Sequence, residues 1–164
     1  MKTLYLLRHG KSSWKDEAAL DVVRPLNGRG RRASQTVGAF LKREGITPDL
    51  VLSSSAIRAR QTTEIVTEAA KLKTDVRFDE RIYEASAQRL LEVVRQIEKS
   101  KKTVLLVGHN PGLEDFLKVL TGTVELMPTA TLAKVVLNVS SWEDVGDKDA
   151  TLEWIIKPKE LQKG

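Results

Sequence analysis

Cysteine is absent from the 164 residues, which excludes disulfide bonds, cysteine metal ligands and thiolate nucleophiles. Histidine occurs only twice, too few for most zinc arrangements. No apolar run approaches the roughly 18 residues that a membrane-spanning helix needs, and the first residues show no signal-peptide pattern. These absences predict a cytoplasmic protein that makes no contact with a membrane.

Aromatic residues are also scarce, at 5% of the chain, which leaves little material for stacking on nucleic-acid bases. The net charge is +5 and the isoelectric point is near 9.5, values that suit an anionic partner. The basic residues are spread out, however, with clusters at residues 29–32 and 99–102. Because such clusters at helix ends are usually solvated, we expect no nucleic-acid binding.

The periodicity of the sequence alternates between strand-like and helix-like segments, with no repeat and no linker. Short apolar runs predict strands at residues 4–7, 50–52, 76–78 and 104–107, followed by strands at 132–139 and 151–156. Helical patterns predict helices at residues 28–44, 56–70, 87–97 and 111–120. Asn110 is predicted to cap the last of these, with Pro111 at its first position. The alternation predicts one α/β domain, 1–164, with helices on both faces of a sheet.

Both histidines lie just beyond apolar strands. His9 follows the first strand directly after Arg8, and His109 follows the strand at residues 104–107. Arg58 lies six residues past Leu52, near the start of a helix. Three strand-to-helix junctions therefore bring these side chains to one edge of the sheet, where α/β proteins bind ligands. A lone histidine in such a place is more often structural, but here the coincidence favours a pocket for a tetrahedral dianion.

Other catalytic motifs fit less well. Ser53-Ser54-Ser55 lacks the Gly-x-Ser-x-Gly elbow of a serine hydrolase and is interpreted as turn and capping chemistry. Gly28-Arg29-Gly30 lacks the Lys-Ser/Thr ending of a P-loop and is interpreted as the start of a helix.

Four ordered segments carry a family resemblance. Leu7-Arg8-His9-Gly10 resembles the signature of the histidine phosphatase superfamily, whose fold is shared with phosphoglycerate mutases. The segments at residues 25–33 and 53–62 resemble its glycine-rich helix start and its second arginine motif. Residues 107–112 resemble its second histidine motif, in the form found in small bacterial SixA-type phosphohistidine phosphatases. The resemblance spans about residues 3 to 122 and implies a three-layer α/β sandwich with a mostly parallel central sheet.

The resemblance also implies roles for individual residues. His9 would be the nucleophile, Arg8, Arg58 and His109 would clamp the phosphate, and Ser12 would assist in binding it. No metal or other cofactor is expected, because two arginines and a protonated His109 supply the positive charge. His9 needs a neutral nitrogen, so we expect an acceptor such as a backbone carbonyl to hold its other N–H.

The general acid is less well defined. Residues 79–84 resemble the segment from which related phosphatases draw a proton donor, and the spacing favours Glu84, with Glu80 as its rival. The alternative interpretation of Glu84 is a solvated carboxylate at the end of a loop. Residues 85–87 stand where mutases continue Gly-x-x-Glu-Gly, and Lys15 stands where mutases place Asn. Both departures, and a chain too short for the insertions that cap small-substrate pockets, argue against mutase activity.

These observations predict a metal-independent phosphatase that removes phosphate from phosphohistidine in a protein, with a histidine phosphotransfer domain as one candidate partner. The imidazole of such a substrate leaves more easily than an alkoxide, which relaxes the demand on an acid. Two alternatives stay open: a phosphatase for small phosphomonoesters and, less favoured because His9 is present, a non-catalytic phosphate-binding module. The sequence gives no indication of the oligomeric state.

Overall fold

Six β-strands form one sheet in the computed structural model, which describes residues 1–16 and 20–161. The strands are β1 (Lys2–Arg8), β2 (Leu50–Ser54), β3 (Asp75–Asp79), β4 (Thr103–Gly108), β5 (Leu132–Leu137) and β6 (Ala150–Ile156). Their spatial order is β3-β2-β4-β1-β5-β6. The first four are mutually parallel, whereas β5 and β6 are antiparallel additions at one side.

Helices cover both faces of this sheet. They are α1 (Gly28–Arg43), α2 (Ile57–Ala69), α3 (Ala87–Arg95), α4 (Gly112–Thr121) and the short α5 (Pro158–Leu161). Apolar side chains of α1 and α2 pack with one face of the central strands, and those of α3 and α4 pack with the other. The expected three-layer α/β domain with a mostly parallel sheet is confirmed.

The central strands β1 and β4 show why their apolar runs are continuous. Leu4 and Leu6 of β1 belong to the cluster on the α3–α4 side, while Tyr5 and Leu7 belong to the cluster on the α1–α2 side. A strand covered on both faces needs apolar residues at every position rather than at alternate ones. β1 and β4 are neighbouring parallel strands buried between the same helix layers, so their carboxyl ends lie side by side, with Arg8 paired with Gly108.

The start of α1 is fixed by its capping residue. The side-chain oxygen of Asn27 accepts a hydrogen bond from Gly30 N at 2.8 Å, as expected for an N-cap. Gly30 packs so closely on the backbone of Lys11 that a Cβ atom there would overlap it, and a Cβ atom on Gly10 would lie 2.7 Å from Gly30 O. These glycines allow the loop after β1 to rest directly on the helix start.

The predicted cap of α4 is wrong. Asn110 does not accept a bond from the helix: its Nδ2 donates to Glu114 Oε2 at 2.8 Å and to Met127 O at 2.9 Å. The helix begins at Gly112, Pro111 occupies the N-cap position, and the Asn110–Pro111 peptide bond is cis. Asn110 does not cap the helix because its amide nitrogen instead holds the loop before β5.

Among the described residues, no helix has the length and apolar character needed to span a membrane.

Candidate active site

Three junctions at the carboxyl edge of the sheet bring the predicted site residues together. His9 directly follows β1, His109 directly follows β4, and Arg58 lies in the first turn of α2 after β2. The backbone N of His9 donates to Gly108 O at 3.1 Å, which ties the two strand ends together. The imidazole centroids of His9 and His109 are 4.9 Å apart, and Arg58 Nε lies 3.4 Å from His9 Nε2.

His9 is held in one tautomer. Its Nδ1 lies 2.7 Å from the carbonyl oxygen of Gly10, which can only accept, so the ring hydrogen is on Nδ1. The lone pair of Nε2 is then free to face Arg58. Burial above all, with smaller contributions from Arg58, Arg8 and Arg24 and against the opposing bond to Gly10, lowers the pKa of His9 to about 4. The expected neutral imidazole with a backbone carbonyl on its other nitrogen is therefore present at pH 7.

His109 differs from the expectation of a protonated clamp residue. Burial first, and then the neighbouring His9, Arg58 and Arg8, lower its pKa to about 3, so the imidazole is neutral at pH 7. Its Nε2 lies 2.7 Å from Ser54 Oγ, and its Nδ1 is buried with no hydrogen-bond partner in the described part of the chain. A bound dianion would act in the opposite direction and raise the pKa.

Arg8 contributes a second guanidinium to the pocket. Its Nη1 donates to Met127 O at 3.1 Å, so the loop before β5 sets the position of the side chain. Its Nε is buried and has no partner among the described residues. Burial lowers the pKa of Arg8, although an arginine stays charged in any case. A buried donor without a partner costs stability, which fits a group awaiting an anionic ligand.

Asp21 holds Arg58 from the outside, a contact that the sequence reasoning missed. Its backbone oxygen accepts from Arg58 Nη1 at 2.8 Å and its Oδ2 accepts from Nη2 at 3.0 Å. These bonds occupy the far end of the guanidinium and leave its Nε–H side directed at His9 Nε2. The hydrogen bond from Tyr83, together with those from Arg24 and Arg58, holds the pKa of Asp21 well below its usual range.

Arg24, also missed, connects the loop after β1 to this network. Its Nε and Nη2 donate to Asp21 Oδ1 at 3.1 and 2.9 Å, and its Nη1 donates to Ser12 Oγ at 2.7 Å. The guanidinium also lies 3.5 Å from the ring centroid of Trp14. Ser12 is therefore buried beside the site with its hydroxyl bound to Arg24, and its predicted contact with phosphate stays a prediction.

The carboxylates predicted as general acids lie on the rim. Glu84 is exposed, adopts a positive φ of 50°, and forms no hydrogen bond or ion pair in the described part of the chain. Tyr83 turns inward instead: its Oη donates to Asp21 Oδ2 at 2.5 Å, and its ring meets His109 edge-on at 5.5 Å. Burial first, and then Asp21 and Glu84, raise the pKa of Tyr83 to about 12. Glu80 is exposed in the short turn Glu80–Ile82.

One sequence signal could have identified the missed pair. The signal is the spacing of three residues between Asp21 and Arg24: Asp21 begins the 3-10 turn Asp21–Val23, Arg24 follows it, and the two side chains form an ion pair at 2.9 Å. Within residues 1–16 and 20–161, no three His, Cys, Asp or Glu side chains are grouped so as to hold a metal ion.

Comparison with known proteins decides the family. The sequence model of the histidine phosphatase superfamily, branch 1, matches residues 4–88. The chain belongs to this superfamily. An uncharacterised protein of Mycobacterium tuberculosis is 34% identical over 151 residues, which cover 85% of this chain and 91% of the relative.

Solved structures place this histidine phosphatase in the SixA type. A protein of Agrobacterium tumefaciens assigned as the phosphohistidine phosphatase SixA is 28% identical, with a TM-score of 0.82 and coverage of 96% of this chain and 98% of that one. The protein histidine phosphatase SixA in complex with tungstate shares the fold, with a TM-score of 0.84 at 24% identity over 97% of this chain and 99% of that one. This histidine phosphatase therefore has a SixA-type fold.

Proposed function

We propose that this phosphatase hydrolyses phosphohistidine in a protein substrate and that its phosphoryl group passes through His9 Nε2. The observation that carries the proposal is the state of His9: a neutral, buried imidazole whose Nδ1–H is bound to Gly10 O and whose Nε2 faces Arg58 Nε at 3.4 Å. Such a nitrogen is ready to attack phosphorus, and the adjacent guanidinium is placed to receive the phosphoryl oxygens.

In the first step, His9 Nε2 forms a bond to phosphorus while the bond from phosphorus to the leaving imidazole breaks. Arg8 and Arg58 neutralise the negative charge on the three equatorial oxygens of the transferred phosphoryl group, which is the main electrostatic demand of the transition state. The leaving nitrogen takes a proton, either from Glu84 or from water at the rim. His9 then carries the phosphoryl group, with its positive charge shared with Gly10 O through Nδ1–H.

In the second step, a water oxygen attacks phosphorus, the bond to His9 Nε2 breaks, and inorganic phosphate leaves. One proton of the water passes to the base that donated in the first step, so the protein returns to its starting state. Two displacements of low barrier thus replace one of high barrier. His109, neutral when the site is unliganded, is expected to gain positive character next to the bound dianion.

The position of Glu84 supports phosphohistidine as the substrate. An exposed carboxylate with no contact to orient it is a poor acid for an alkoxide leaving group, which must receive its proton in the transition state. An imidazole leaving group needs less help, so an unoriented acid suffices. The SixA-type relative at 28% identity supports the same substrate class. The cytoplasmic location stays a prediction.

Trapping of the intermediate tests the proposal. Brief incubation with a radiolabelled phosphohistidine protein, followed by quenching, should leave acid-labile, base-stable label on the wild-type chain. His9→Ala should lose both label and turnover, whereas His109→Ala should retain the label while turning over more slowly. Label that persists in His9→Ala, or an aryl phosphate hydrolysed far better than the phosphohistidine protein, would contradict the proposal.

A further inference from the structure

A cationic cleft lies next to the candidate active site. It has a volume of about 590 Å³, and none of the residues that line it is acidic. In the described part of the chain its basic side chains take part in no ion pair. These side chains are Lys11, Arg29, Arg32, Lys157 and Lys159. Within residues 1–16 and 20–161, this positive charge is compensated by no ion pair, and the carboxylate that makes a contact there is that of Glu160, which accepts from Lys157 N at 3.1 Å.

The cleft is continuous with the loops that hold His9. Lys11 is two residues beyond His9, so their Cα atoms are within about 7 Å of each other. The start of α1, which carries the cleft arginines, is fixed against this loop by the contact of Gly30 with Lys11. On the other side, Ala130 N donates to His9 O at 3.0 Å, which positions the neighbouring cleft residue Thr129. The cleft thus lies beside the two loops that flank His9, although His9 itself does not line it.

Exposed apolar side chains border the same site. Apart from Met1, every large hydrophobic residue that is exposed in the described part of the chain lies in a loop that contacts the site. Trp14 packs on Arg24, while Leu20 and Val23 flank Asp21. Val124 and Leu126 are also exposed, and they precede Met127, whose carbonyl oxygen accepts a hydrogen bond from Arg8.

The two surfaces together point to one kind of occupant. A small anion would need the cations but would gain nothing from exposed leucine and valine side chains. A nucleic acid would need stacking platforms, and Trp14 already has a guanidinium on one face. Exposed apolar side chains at the mouth of a site, next to unpaired charge, are typical of a surface that recognises protein.

We infer that the phosphorylated partner is a protein that places an acidic segment in the cleft and apolar side chains against the loops bearing Leu20 and Leu126. The inference rests on the proposed function, because it takes the substrate to be a protein. The acidic segment would add affinity and speed of encounter without touching the reacting atoms. Specificity for the partner would then lie outside the phosphate clamp.

Direct binding separates this inference from the chemistry. The probes are two fluorescent peptides without phosphate, one with glutamates and leucines and one with serines in place of the glutamates. Anisotropy should show the acidic peptide binding wild-type protein and Arg29→Glu/Arg32→Glu binding it at least about tenfold more weakly. Lys73→Glu/Lys99→Glu, with the same charge change on exposed residues outside the cleft, is the matched control and should lose much less.

The same experiment contains the results that would overturn the inference. Equal affinity for the acidic and serine peptides, an equal loss in both double variants, or tighter binding of a single-stranded oligonucleotide would each do so. Binding should also vanish in about 1 M salt, where the Debye length is about 3 Å. Leu20→Asn/Leu126→Asn should weaken binding of the acidic peptide. An unchanged affinity in this variant would contradict the inference that apolar side chains of the partner pack against these loops.

Turnover provides the second readout. With phosphohistidine versions of the two peptides, kcat/KM should favour the acidic one, and the cleft double variant should reduce that preference by about tenfold. If neither phosphohistidine peptide is hydrolysed while the unphosphorylated acidic peptide still binds in the cleft, the proposed function fails and the acidic docking site stands. If both are hydrolysed equally, the proposed function stands and the docking site fails.

Discussion

Asp21→Asn tests whether the outer contacts of Arg58 contribute to turnover. The carboxylate binds Arg58 Nη2 at 3.0 Å and Arg24 Nη2 at 2.9 Å, and it accepts a hydrogen bond from Tyr83. Asparagine keeps the shape and one acceptor but removes the charge that makes these bonds strong. Since Asp21 never touches the reacting atoms, we expect it to act as a positioning residue that aligns Arg58 with His9.

The expected loss follows from the bonds removed. A hydrogen bond to a charged group contributes about 1.5–3 kcal/mol. The side chain of Asp21 is 40% exposed, so solvent screening favours the lower end of that range. If about 1.5 kcal/mol of Arg58 alignment is lost from the transition state, kcat falls about tenfold. Removal of a negative charge near Arg8, Arg24 and Arg58 should leave the affinity for an anion unchanged or improved.

The assay measures kcat and KM with an aryl phosphate, and inhibition by tungstate as a phosphate analogue. Asp75→Asn, which breaks the exposed pair with Arg77 on β3, is the control and should change neither quantity. We expect Asp21→Asn to lower kcat while tungstate inhibits at least as well. The opposite pattern, an unchanged or higher kcat with a much lower tungstate inhibition constant, would mean that Asp21 competes with phosphate for Arg58, and the positioning argument would be wrong.

Two further predictions concern protonation. The pKa of His9 is about 4 in the folded state against an ordinary value of 6.5, so the unfolded chain binds more protons between these pH values. As the pH drops from 6.5 to 4, protonation of His9 in the unfolded chain should therefore lower the free energy of unfolding by about 3 kcal/mol. Urea denaturation of wild-type protein and His9→Asn at several pH values checks this, and an identical pH dependence would contradict it. Glu84→Gln should reduce kcat for an alkyl phosphate more than for phosphohistidine, because an alkoxide needs a proton in the transition state and the imidazole needs less protonation; equal losses would argue against Glu84 as the acid.

The sequence was sufficient for the parts of the site that depend on regular structure. Apolar runs buried on both faces identify β1 and β4, and the residues that follow parallel strands must meet at one edge of the sheet. His9, His109 and Arg58 are such residues, so their convergence could be predicted without knowledge of any side-chain conformation. The tautomer of His9 followed from its chemical role, and the bond to Gly10 O matches it.

The remaining features depend on contacts between segments far apart in sequence. Asp21 binds Arg58 and Tyr83 across separations of 37 and 62 residues, and the irregular loop that carries it has no periodicity to indicate which way it faces. The charge of His109 could not be predicted either, because its pKa depends on how deeply the fold buries it beside His9. Asn110 shows the reverse effect: a strong local capping signal is overridden when Glu114 and Met127 bind its amide.

Asp21 also links the two surfaces that we propose to act in recognition and in catalysis. Leu20 and Val23, on the exposed border, belong to the same turn as the carboxylate that holds Arg58. A partner that packs on this turn would therefore contact a segment that binds the phosphate clamp, since Asp21 accepts hydrogen bonds from Arg58 at 2.8 and 3.0 Å. The effect of Asp21→Asn should still appear with a small aryl phosphate, since the alignment of Arg58 does not need the partner. Substitutions at Leu20 should affect only substrates large enough to touch it, and this difference separates alignment of the clamp from recognition of the protein.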